Sequence, residues 1–407
     1  MNCNPPKSDR MPLARFAFRM TAAALLLFPS GAAPAEPPPS LTVRVYDERV
    51  QRGVDLIYNL RFEEADRYFD DLVASYPDNP LGYFFRAMVA WWRVLIDLDD
   101  TSHDEAFYRR IDECIEICDA RLRIAPDDFD AILFKGGAIG FRGRLRGDRR
   151  QMLRAAQDGL RSLPLLERSR KMEPTNKDIL FGQGIYNYFR DVIPQKYPIV
   201  RAVIWMLKDG DRETGLRQLR EVAAEGRYAK AEAKYFLAQI YRLFEEDEAK
   251  ALPYLEELRS RYPPNSIFHR YTARTYASLD RWDRALPLYR EVVERCEAGA
   301  RGYHRRAHIE ALYYHGYFAF IRNRLAEVVP PLTAADSLSR GLGERPEDQE
   351  TGGYVALSNL FLGMALDGLG RRGEALARYA RVRELPAHGN SHELAAGYEG
   401  NPYRLPR

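Results

Sequence analysis

The chain has 407 residues and a formal charge of +3, with 46% hydrophobic and 29% charged residues. That composition excludes a disordered polar protein and a small disulfide-stapled scaffold. No apolar run reaches the roughly 18 residues that a membrane-spanning helix needs.

The first 35 residues have the three-part layout of a secretory signal. Lys7, Arg10, Arg15 and Arg19 make a positive segment, residues 21–28 a short apolar one, and Ala33, Pro34 and Ala35 an A-x-A-like cleavage site. Met11 is an alternative start. The reading predicts export to a periplasmic or otherwise envelope-facing location. Residues 1–35 carry four positive groups and one negative, so cleavage leaves a chain of net charge zero. A neutral chain lacks the basic excess of a nucleic-acid-binding domain, and no nucleic-acid partner is expected. Cys114, Cys118 and Cys296 remain. An odd count leaves at least one free thiol in an oxidising compartment. Cys114 and Cys118, one helical turn apart, read as small packing residues.

Beyond the signal the chain reads as helix, turn, helix with little strand pattern. The clearest unit is residues 266–297. Its first helix carries Tyr271, Ala273 and Tyr276, and its second carries Ala285, Tyr289 and Val292 on one face. Eight units align on a small residue in the middle of the first helix: Gly53, Ala87, Gly136, Gly184, Ala238, Ala273, Gly316 and Gly363. The matching second-helix positions are Ala65, Cys114, Ser162, Gly215, Ala251, Ala285, Val328 and Ala375, with Val328 the departure. Pro77, Pro126, Pro174 and Pro263 close four units. Two helices approach closely only where small residues meet, and each hairpin leaves an apolar face that its neighbours must cover. These residues resemble the tetratricopeptide-repeat (TPR) family, over about residues 46–386. The expected fold is all-α, a right-handed α-solenoid of about eight lengthened TPR-like hairpins, like those of uncharacterised secreted bacterial TPR proteins. The expected organisation is a signal at 1–35, repeats at 46–190, an insert at 191–211, repeats at 212–386 and a loosely docked tail at 387–407.

The resemblance implies that first helices line a concave groove. Its register places Phe84, Trp91, Phe181, Tyr188, Tyr235, Arg242, Arg270, Arg274, Tyr313 and Tyr317 there. Aromatic residues and arginine dominate binding hot spots, and arginine grips carboxylates with two hydrogen bonds. Glu232 and Glu310 are candidate internal partners for these arginines, and the aromatics could equally be core. The favoured function is a non-catalytic envelope scaffold or adaptor holding a protein or peptide. Two alternatives stand: a small-ligand receptor or enzyme with a pocket closed by the 191–211 insert, and a structural component of an outer-membrane assembly or transport complex. That insert, with its apolar run 199–207, reads as packed cover or as a peripheral membrane or partner contact.

Charge is segregated along the chain. Residues 97–130 hold twelve acidic and four basic groups, and 135–171 hold eleven basic and three acidic. The blocks are expected to neutralise each other, or to leave a basic patch for an acidic partner. The glycine-rich run 135–147 lacks the order of a phosphate-binding loop and reads as close helix packing. His304 and His308 share a helical face near Glu310 and His315, but Arg305 and Arg306 oppose a metal there. No cofactor, metal site or catalytic set is expected.

Overall fold

The structure is a computed structural model and describes residues 43–196, 209–340 and 349–405. The signal read at 1–35 lies outside these, as do residues 197–208 of the insert. Seventeen α-helices and no strand occur among the described residues.

Two compact units form. The N-terminal unit runs to Phe244 and includes Ser260–Tyr262; the other holds Glu245–Arg259 and the residues from Pro263 onward. The division falls beyond the 191–211 segment. In chain order the first unit has α1 (Val43–Tyr58), α2 (Phe62–Ser75), α3 (Pro80–Ile96), α4 (Asp104–Ile124), α5 (Phe129–Asp148), α6 (Met152–Met172), α7 (Ile179–Lys196), α8 (Arg212–Glu225) and α9 (Lys230–Leu243). Then follow α10 (Glu248–Arg261), α11 (Ser266–Ser278), α12 (Trp282–Glu297), α13 (Arg305–Ile321), α14 (Leu325–Ser339), α15 (Gln349–Gly368), α16 (Arg372–Glu384) and α17 (Ser391–Gly400).

The helix boundaries follow from local chemistry. Asn79, Asp128, Asp211 and Asn265 cap the starts of α3, α5, α8 and α11, each side chain accepting from a backbone N–H of the first turn. Pro77, Pro126, Pro174 and Pro263 each stand two residues past a helix end, where proline blocks continuation. Six tight turns share one device. A residue with left-handed backbone stands two positions before the second helix: Leu60, Arg150, Glu246 before α10, Asp280, Asn323 and Gly370.

All sixteen aligned small positions are buried. Ser162 Oγ donates to the Gly136 carbonyl at 2.7 Å, fastening α6 to α5. The tightest approach joins α7 and α8. A Cβ on Gly215 would lie 2.5 Å from the Tyr188 backbone nitrogen and 2.8 Å from the Gly184 carbonyl oxygen. Backbone atoms cannot rotate away, so the helices must separate. Gly215→Ala is expected to cost about 1–3 kcal/mol. Urea denaturation checks this, and an unchanged midpoint would contradict the packing.

The opposed charge blocks meet across neighbouring helices. Arg142 pairs with Asp112 at 2.5 Å and Arg149 with Asp104 at 2.5 Å, while Lys135 reaches Asp119 and Arg168 reaches Asp127. Asp158, fully buried on α6, takes Arg142 at 2.8 Å and Arg146 at 2.6 Å. The basic block is thus largely engaged within its own unit. Cys114, Cys118 and Cys296 are free thiols, the first two buried.

The tail departs from expectation. Its Gly, Pro and Asn content suggested a loose extension, yet residues 391–400 form α17. Leu394, Ala395 and Tyr398 share one helical face and pack against the C-terminal unit's core. Arg372 donates to the Glu399 carbonyl at 2.7 Å, and the Tyr403 N–H donates to Asp367 at 2.9 Å.

Candidate functional site

The N-terminal unit has a partly open apolar cavity of about 280 Å³. An apolar cavity of about 150 Å³ already accepts benzene, so this one has room for larger groups. Its origin lies in α5. The register positions that hold Met88 and Trp91 in the second hairpin fall, in the third, on Gly137 and Gly140, while the Phe84 position falls on Leu133. Both glycines line the cavity, with Gly136 and Gly143 beside them. A Cβ on Gly140 would meet only Ser162 Oγ, at 3.5 Å. At these two positions the third hairpin carries no side chain: Phe84 packs over Gly137, and the space beside Gly140 stays open. Phe84 from α3, Phe134 and Phe141 from α5 and Phe181 from α7 form much of the wall. Their rings meet edge-on or tilted, with Phe84 5.3 Å from Phe134 and 6.1 Å from Phe141.

The polar groups of the wall divide into engaged and unengaged. Ser162 is committed to α5. The Asp178 carboxylate caps the start of α9, with Oδ1 accepting from the backbone N–H groups of Arg227, Tyr228 and Ala229 at 2.9, 3.1 and 3.0 Å. Burial pushes its pKa up, against those three hydrogen bonds. Arg190 pairs with Asp209 at 3.3 Å, and Arg144 and Glu232 remain. The Arg144 guanidinium lies over the rings of Trp91, at 4.6 Å, and Phe236, at 4.7 Å. Its Nη1 is buried and has no hydrogen-bond partner among the described residues. Glu232 is 7% exposed and accepts from Trp92 Nε1 at 3.0 Å through Oε1. The Tyr58 phenol also hydrogen-bonds this carboxylate, while the Oε2 atom itself has no partner among the described residues. Burial raises the Glu232 pKa, opposed chiefly by the nearby Arg144 charge. Burial beside that carboxylate drives the Tyr58 phenol well above its ordinary value.

The residues read from sequence separate into three sets. Phe84 and Phe181 reach the cavity. Trp91, Tyr188 and Tyr235 are buried in the same unit, Trp91 beneath Arg144 and Tyr188 against Phe189 at 5.1 Å. Arg242, also buried there, donates to Gln239 at 3.2 Å. The remainder lie inside the C-terminal unit. Arg270 Nε and Arg274 Nε donate to the two oxygens of Glu310 at 2.8 and 3.0 Å, and Glu310 is 1% exposed. Tyr313 and Tyr317 pack on Phe361 at 6.4 and 5.1 Å, and both are buried. Arg144 and the cavity itself were missed. The available signal was Gly137, Gly140 and Arg144, spaced three and four apart on one helical face. Among the described residues, no group of three or more His, Cys, Asp or Glu is placed to hold a metal ion.

Comparison with known proteins agrees with the hairpin architecture. Residues 245–300 match the family profile described as tetratricopeptide repeat, spanning α10 to α12 and the unit that carries the resemblance. The match is confined to that segment, and the described chain on either side of it is also built from helical hairpins. Among solved structures, a human IFIT1 dimer with PPP-AAAA is 12% identical, covering 80% of this chain and 69% of that one, with a TM-score of 0.43. The C-terminal part of a TPR repeat-containing protein from Cytophaga hutchinsonii is 18% identical over 72% of this chain and 96% of that one, TM-score 0.35. Yeast Tom70 is 10% identical over 86% and 87% of the two chains, TM-score 0.30. No curated protein matches the chain.

Proposed function

We propose that the chain is a non-catalytic scaffold of the cell envelope whose N-terminal unit seats apolar side chains of a protein segment. Tetratricopeptide folds are protein-interaction scaffolds, which supports the class. The observation that carries the reading is the apolar cavity, open beside Gly140 and walled by aromatics from α3, α5 and α7. Burying apolar side chains there gives affinity in proportion to the area removed from water, about 25 cal/mol per Å². The envelope assignment rests on the signal-like residues 1–35. A small-ligand receptor is the second reading, favoured by the modest volume of the cavity. Nucleic acid is not proposed as the partner, because the chain is neutral once those residues are removed.

The test is Gly140→Leu. Leucine fits the helix better than glycine by about 1 kcal/mol, and its side chain enters the cavity. The variant is expected to unfold at a higher temperature than the wild type. It is also expected to bind the capped peptide acetyl-KLFLK-amide at least tenfold more weakly by calorimetry. Equal affinity in a folded, stabilised variant would remove the cavity from the binding site.

A further inference from the structure

The two unengaged groups of the cavity wall specify more than apolar filling. We propose that Arg144 and Glu232 together recognise an amide group of the seated segment, Arg144 Nη1 donating to its carbonyl oxygen and Glu232 Oε2 accepting from its N–H. The inference rests on the reading of the cavity as the seat of a protein segment.

Arg144 Nη1 is a buried donor and Glu232 Oε2 a buried acceptor, both without partners among the described residues, and both residues line the same cavity. A buried polar atom left unpaired is costly, and a ligand that pairs it recovers that cost as tighter binding. Arg144 acts on Glu232 as a neighbouring charge, yet the two atoms do not bond to each other. An occupant that satisfies both must therefore present an acceptor and a donor.

Charge narrows the choice. The wall holds two arginines and two carboxylates; Arg190 pairs with Asp209 and Asp178 caps α9, which leaves one cation and one anion, Arg144 and Glu232. A carboxylate head would set a second anion beside Glu232, and an ammonium a second cation near Arg144, each desolvated in an apolar space. A neutral amide offers C=O and N–H in one rigid plane and adds no charge. The rings of Trp91 and Phe236 hold the guanidinium in place, and Trp92 fixes the carboxylate through Oε1, so little ordering cost remains at binding. Apolar side chains flanking a peptide bond fit such a site.

Ester analogues test this directly. Each internal amide of acetyl-KLFLK-amide is replaced in turn by an ester, which keeps the carbonyl and deletes the N–H. On the wild-type protein, one of the esters is expected to bind about tenfold more weakly than the parent. On Glu232→Gln, whose amide can itself donate, the same ester is expected to lose less than threefold. Arg144→Met is expected to weaken the parent about tenfold while thermal unfolding reports a folded chain. Decanoate, the carboxylate alternative, is expected to bind more than tenfold more weakly than the parent at pH 7. If every ester binds like the parent, the amide assignment is overturned and the cavity reading survives. If decanoate binds more tightly than the peptide, and more so as pH falls, the assignment is overturned in favour of a carboxylate. If the parent peptide does not bind at all, the cavity reading itself fails.

Discussion

Glu310→Gln is expected to destabilise the C-terminal unit by about 3–5 kcal/mol, the usual cost of removing one partner from a buried ion pair. Glu310 is 1% exposed, and both Arg270 and Arg274 direct their guanidinium groups onto it. Glutamine keeps an acceptor but leaves two buried cations without a counter-charge. The complementary variant replaces all three groups, Arg270→Met, Glu310→Leu and Arg274→Met. It is expected to recover most of the loss, because well-packed apolar replacement of a buried triad is often neutral or stabilising. Chemical denaturation of the two variants beside wild type decides the point. A single Glu310→Gln loss below about 1 kcal/mol would place the triad in water and contradict its burial.

Acid sensitivity is the second large effect. His269 is 1% exposed, its Nδ1 2.9 Å from the Tyr303 hydroxyl and its Nε2 3.4 Å from Glu291. Burial pushes its pKa down to about 4, with Arg259 and Arg295 acting in the same direction and Glu291 opposing. An unfolded histidine titrates near 6.5. Between about pH 6.5 and 4 the unfolded chain therefore binds a proton that the native chain refuses, and stability falls as pH falls. The difference amounts to about 3 kcal/mol across that window. Burial also lowers His308 and His315, which adds to the same slope. His269→Gln is expected to flatten the dependence of the denaturation midpoint on pH between 6.5 and 4. An unchanged slope would show that His269 does not carry it.

The hairpin architecture was legible because it rests on a local constraint. Each first helix must offer a small residue where its partner crosses, and sixteen such positions, Val328 included, prove buried. The turns and prolines that separate the helices are equally local. The groove was less legible. A helical register tells which residues share a face, but not whether another element covers that face. Phe84 and Phe181 reach open space, whereas Trp91, Tyr188, Tyr313 and Tyr317 on equivalent faces are covered. Arginine character was misleading in the same way. Arg270 and Arg274 answer to Glu310 from α13, a pairing that sequence offered only as one possibility. The cavity depends on side chains that are missing, and the search for binding residues looked for side chains that are present. Gly137 and Gly140 read as close packing, which holds at Gly136, where a Cβ would lie 3.2 Å from Leu165, and at Gly137, where it would lie 3.2 Å from Phe84. Gly140 instead faces open volume. The tail misled through composition, since Gly and Asn content hid the spacing of Leu394, Ala395 and Tyr398.

The central claim is that the N-terminal unit's cavity seats the apolar residues of a protein segment. Photocrosslinking tests it most directly, with benzoylphenylalanine replacing the phenylalanine of acetyl-KLFLK-amide and mass spectrometry locating the adducts. The account predicts adducts on α3, α5 and α7, around Phe84, Phe141 and Phe181, which Gly140→Leu abolishes. Adducts confined to the C-terminal unit, or unchanged in Gly140→Leu, would contradict it.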